Sequence, residues 1–256
     1  MSFRVGALLL AAWCAMAGTA AAQGDEIQVY DGGLAPVGVF NLTLHNNFTP
    51  DGVKTPAFAG ANVSDDSLNG VAEWALGVTP WFEAGLYLPL YSIDKQLGAV
   101  IDGFKLRTLF AVPHADDRRF FYGANFEFSF NADHWDQKRF TSEVRPIVGW
   151  HLAHADIIVN PIVDTSYDGV SNLEFVPSVR VAHGVSDRSA IAVETYSDFG
   201  PVHQFYRHSD QSQQIFGVFD RTTKLCDVEI GAGFGLTKGS DNFQLKLIHS
   251  RDLNKK

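Results

Sequence analysis

The residues of this chain that could do chemistry are charged side chains on the polar side of segments that alternate polar and apolar residues. Eight acids share that phase: Glu73, Glu83, Glu127, Glu143, Glu174, Glu194, Asp227 and Glu229. Five bases share it too: Lys105, Arg107, Arg145, Arg180 and Lys246. Gathered around one wet interior, a set with more acids than bases would favour cations over anions. Paired with one another, the same residues would cross-brace a wall instead. Both uses need the same side chains, and the sequence leaves both open. No catalytic set accompanies them. There is no G-x-S-x-G, and Ser142 has the opposite phase to Glu143 and His151, so the chain reads as a non-enzyme. His151 with His154, and His203 with His208, lack the Cys or carboxylate partners that a metal site needs, so no metal and no other cofactor is expected. Gly231, Gly233 and Gly235 imitate a nucleotide loop. They fall on one phase of a strand with no helix after them, and there they would leave space along one wall.

The elements that must position these charges are strands. In Tyr122 to Asn131, Tyr122, Ala124, Phe126, Phe128 and Phe130 lie on one face, against Gly123, Asn125, Glu127, Ser129 and Asn131. Phe82 to Leu90 sets Phe82, Ala84, Leu86, Leu88 and Leu90 against Glu83, Gly85 and Tyr87, and Val228 to Leu236 repeats the pattern. The polar faces carry Gly, Ser, Asn and single charges, without the lysine clusters that solvate an exposed sheet, which suits a crowded interior. The apolar faces suit lipid. Counting such segments gives twelve strands, near 37–47, 70–79, 81–91, 103–113, 120–131, 140–152, 155–165, 172–183, 188–197, 212–220, 224–236 and 242–250. In 212–220 either Phe216/Val218 or Ile215/Phe219 could form the apolar face. Tight links (Thr79-Pro80, Ala153-His154, Gly184 to Asp187, Asp220 to Thr223) alternate with longer ones at 48–69, 92–102, 132–139, 166–171 and 198–211. Short turns at one end and long loops at the other are the pattern of an all-β, antiparallel up-and-down transmembrane β-barrel. Trp74, Trp81, Tyr91, Phe120, Phe121 and Trp150, near strand ends, would form interfacial girdles.

Export signals stand in the first residues of the sequence as well. Arg4, the apolar run Val5 to Met16 and Ala20-Ala21-Ala22 read as a signal peptide over 1–22, cut after Ala22. A periplasmic segment, 23–36, and a barrel domain, 37–256, follow. Cleavage would leave Cys226 as the one cysteine and make the chain one unit more negative than its formal −9, a balance that speaks against nucleic acid.

G-V-T-P-W-F-E-A-G-L (Gly77 to Leu86) and G-V-S-D-R-S-A-I-A-V (Gly184 to Val193) share a strand–tight turn–strand form. Together with E-I-Q-V-Y-D-G-G (Glu26 to Gly33) and F-N-L-T-L-H-N-N (Phe40 to Asn47), they resemble the MetA-pathway phenol-degradation family of outer-membrane barrels, which is grouped with porin-like transporters. The resemblance covers most of the chain after residue 22. It implies a bacterial outer-membrane location, contact with outer-membrane lipid, and passive passage of small solutes, aromatic or other hydrophobic compounds among them. It names no catalytic residues and no oligomeric state. Two other readings stay open: a non-transporting structural or adhesive barrel with loops 48–69 and 198–211 as partner sites, and a soluble periplasmic β-sandwich.

Overall fold

Alternating faces close into a wall. The computed structural model describes residues 24–254; the expected signal peptide and its cut lie outside them. The strand segments are β1 (Phe40–Asp51), β2 (Ser67–Thr79), β3 (Phe82–Asp94), β4 (Gly98–Ala111), β5 (Phe120–Asn131), β6 (Phe140–His151), β7 (Asp156–Asn160), β8 (Val163–Thr165), β9 (Glu174–Phe175), β10 (Ser178–Ser186), β11 (Ser189–Asp198), β12 (Ser212–Thr222), β13 (Asp227–Gly235) and β14 (Phe243–Asp252). All pair antiparallel, β1 with β14, and β5 with β6, so the sheet closes. The result is a closed barrel of twelve staves, because β7 with β8, and β9 with β10, are each one stave interrupted.

Prolines cause both interruptions. Val144 faces Val163 and Val148 faces Val159, so Pro146 stands opposite Pro161 in unbroken register. Asn160 faces Ser178 and Val163 faces Phe175, so Pro161 stands opposite Pro177. Three neighbouring residues without an N–H remove ladder bonds at one level of the wall.

Outward positions carry large exposed apolar side chains, such as Phe48, Phe104, Phe128, Val193 and Phe234. They suit hydrocarbon. Trp81 stacks on Phe110, and Phe120 lies 5.6 Å from Trp150, giving an aromatic belt at the short-turn end. No helix among the described residues is long and apolar enough to cross a membrane.

Several expectations are corrected. The long link at 92–102 does not exist. β3 and β4 run on to a tight turn at 95–97, where Asp94 Oδ1 accepts the N–H groups of Gln96 and Leu97, both at 2.6 Å, and Gly98 takes φ +72°. That aspartate builds the turn locally. Leu90 faces inward, 1% exposed, because a bulge at Leu88-Pro89 inserts an extra residue and flips the phase. Phe121 is no girdle residue. It has the inward phase of β5, is fully buried, and stacks on His151 against Gly149, where a Cβ would lie 2.0 Å from the ring. Tyr91 faces outward but is half-buried, its hydroxyl donating to Asn46 Oδ1 at 2.8 Å. In β12 both candidate faces are apolar for different reasons: Ile215 and Phe219 point outward, whereas Phe216 and Val218 pack inside.

Candidate functional site: the barrel lumen

The lumen is filled along its middle and opens at one end. At its middle lies a strap that strand patterns did not reveal as part of the interior. Residues 24–36, which precede the first strand, run through it. The strap pairs with no strand along residues 24–35; side chains of the wall hold its backbone. Asn47 donates to the carbonyls of Gly24 and Asp25, at 3.2 and 3.1 Å. Lys246 donates to the carbonyl of Ile27 at 3.1 Å, and Arg145 to that of Gln28 at 3.2 Å. Asn160 clamps Tyr30 from both sides, accepting its N–H at 2.7 Å and donating to its carbonyl at 3.0 Å. Glu83 accepts the Ala35 N–H at 2.5 Å. The strap leaves at the short-turn end, where Val37 bridges Gly77.

Charges are matched around it. Arg107 meets Glu73 at 2.8 Å and also Glu83, while His45 Nε2 lies 3.1 Å from Glu73. Arg145 grips Glu143 through two nitrogens, at 2.6 and 3.2 Å, faces Glu26 at 3.7 Å, and lies over the Tyr30 ring at 4.5 Å. The Tyr30 and Tyr87 hydroxyls bond each other. Lys246, with no solvent contact, pairs with Glu194 and Glu229, and Arg180 with Glu194, Asp220 and Glu229. In a dry interior an unpaired ion would be costly, and these pairs remove most of that cost.

Apolar side chains fill the space beside these charges. Ile27, Val29 and Tyr30 of the strap pack against Leu109, Phe121, Ile147, Ile158, Tyr196 and Phe216 of the wall. Gly231 and Gly233 do not leave a void. The Lys246 stem lies 2.8 Å from where a Gly231 Cβ would stand, and the Phe216 ring 2.3 Å from that of Gly233.

Toward the long-loop end the lumen opens into a solvent-connected cleft of about 180 Å³. Asp25, Lys105, Glu127, Glu143, Asp164 and Glu174 line it below, and Trp135 and Phe58 from the loops above. Lys105 bridges Asp25 at 2.7 Å and Glu127 at 3.3 Å.

Of the thirteen charges singled out by sequence, twelve thus sit in the network or the cleft: Glu73, Glu83, Lys105, Arg107, Glu127, Glu143, Arg145, Glu174, Arg180, Glu194, Glu229 and Lys246. Asp227 stands apart, exposed at the start of β13. Sequence reasoning missed Asp25, Glu26, His45, Asp164 and Asp220. His45 and Asp164 carry the inward phase of strands already recognised. Asp25 and Glu26 precede any strand, and the one hint was the apolar alternation Ile27, Val29 within an otherwise polar segment.

No family model matches the chain, and no curated protein does. Solved structures do. The COG4313 outer membrane channel from Pseudomonas putida F1 superposes with TM-score 0.59 at 14% identity, over 89% of this chain and 100% of that one. The NanC porin superposes with TM-score 0.54 at 10% identity, over 84% of this chain and 100% of the other. The fold is that of outer-membrane channels. At these identities the likeness concerns architecture, and the solutes of those proteins do not transfer with it.

Proposed function

We propose that the chain is a bacterial outer-membrane barrel that lets small solutes cross passively, exported by a signal peptide cut after Ala22. A closed wall with lipid-suited residues outside and charges inside carries this reading, and the architecture shared with the two channels supports it. The solute path would enter the outer cleft and follow the inward charges from Glu127, Glu143 and Glu174 down past Arg107 and Arg145 to Glu194, Glu229 and Asp227. The resemblance to the phenol-degradation family adds aromatic or other hydrophobic compounds as a solute class. The protein would contact outer-membrane lipid and act without catalysis. Purified protein in planar bilayers should give discrete conductance steps with a preference for cations. The strap favours a second reading, a non-transporting barrel whose long loops hold a partner, because the lumen is filled at its middle. Well-folded, heat-modifiable protein that stays silent in bilayers would select that reading.

A further inference from the structure

Four carboxylates stand in one row across the cleft wall. Glu127 of β5 is directly opposite Glu143 of β6, Glu143 opposite Asp164 of β8, and Asp164 opposite Glu174 of β9. Like charges directly opposite on neighbouring strands repel. Cations answer only half of the row: Lys105 reaches Glu127 and Arg145 holds Glu143. Lys138, which also lines the cleft, pairs with Asp168 at 2.7 Å instead. Among the described residues neither Asp164 nor Glu174 has a cation within bonding reach, and Asp164 Oδ1 is shut off from solvent with no donor. Asp164 Oδ1 thus goes unanswered within the chain, while Asp164 and Glu174 both line the open cleft.

The shape of the row narrows what that partner is. Staves lie ~4.8 Å apart, so the row spans roughly 14 Å from Glu127 to Glu174. Its members run along a line and do not converge on a point, and no described group of residues could hold a metal ion. Half-buried Trp135 and Phe58 line the same cleft, and aromatic rings attract an alkylammonium. We propose that the outer cleft binds a linear diamine or polyamine, one ammonium lying between Asp164 and Glu174 and the chain running along the row under Trp135 and Phe58. Ammonium groups separated by a few methylenes repeat at roughly the spacing of neighbouring staves, which a point cation or a monoamine cannot use. The inference names a solute class for the channel reading and rests on it.

Calorimetric titration of the full-length barrel in detergent tests it, with 1,4-diaminobutane and spermidine as probes and butylamine as the single-charge control. We expect saturable binding of both probes, at least tenfold tighter than butylamine, and at least tenfold weaker in the double variant Asp164→Asn/Glu174→Gln. Relief of repulsion should let that variant fold, which heat-modifiable mobility checks. If it does not fold, Glu174→Gln alone and Trp135→Ala alone should each weaken binding several-fold. No saturable heat, equal affinity for butylamine, or unaltered affinity in folded variants overturns the proposal. Bilayer conductance is read separately. Diamine binding by a silent barrel would remove the channel and keep the site, whereas conductance without binding would do the reverse.

Discussion

Replacing Arg145 by methionine should loosen the strap without opening the wall. The guanidinium is 2% exposed and serves two clients. To the wall it gives a two-pronged bond to Glu143; to the strap it gives the bond to the Gln28 carbonyl, the charge facing Glu26 and the stack on Tyr30. The strap's share is a charge-assisted hydrogen bond, about 1.5–3 kcal/mol, and a desolvated cation–π contact, about 0.5–2 kcal/mol. Together these shift the seated-to-released equilibrium by about 2–5 kcal/mol, roughly 30- to 4,000-fold. Methionine keeps the bulk and removes the donors. Hydrogen exchange of the full-length protein in detergent reads the outcome, because the Tyr30 and Ala35 amides are held only by Asn160 and Glu83 side chains. Their protection should fall by at least 30-fold, while amides in β12 and β13 keep theirs. Unchanged exchange at Tyr30 would refute the assignment of Arg145 as the seat. Equal loosening of β12 and β13 would show that strap and wall are one cooperative unit.

Further outcomes follow from the packing and the outer loops. Gly149→Ala drives a methyl into the Phe121 ring and should destabilise the barrel by about 1–3 kcal/mol in a urea unfolding series. Phe216→Ala empties a fully buried site and should cost about 3–5 kcal/mol by the same measurement; an effect below ~1 kcal/mol would mean that the lumen refills or is wet there. Asp241, in the turn before β14, accepts the Val53 N–H at 2.8 Å and the Ser64 hydroxyl, and burial raises its pKa above the ordinary aspartate value. The folded state therefore holds this proton more tightly than the unfolded chain. Its contribution to anchoring loop 52–66 is present at low pH and is lost as pH rises through the raised value. Protease cleavage in that loop should increase over this range, and Asp241→Asn should flatten the profile.

The wall was legible in the sequence because its signal is local: the two-residue period of β5 or β13 depends only on which side of the strand meets lipid. Loop 92–102 was misjudged because Asp94 makes its own turn, and a polar run with glycine looks the same whether it is a loop or a tight turn. Leu90 and Phe121 failed for opposite reasons. A proline bulge broke the period for the first, and an aromatic at a strand end imitated a girdle residue in the second. The strap was out of reach of any periodicity argument. It pairs with no strand, and what fixes it is spread over β1, β3, β6, β7 and β14, far apart in the chain.

Two of the strap's holders, Asn47 on β1 and Lys246 on β14, are directly opposite each other in the register. They sit on the strands that begin and finish the barrel, whose pairing is the last to become possible as the chain is made. A segment gripped from both sides of that join works as a mandrel. It presents the first stave and the last with a shared surface and fixes the register in which they meet. Cutting the strap away would then leave each hairpin able to form, and would be felt in how fast, and in what alignment, the ring shuts.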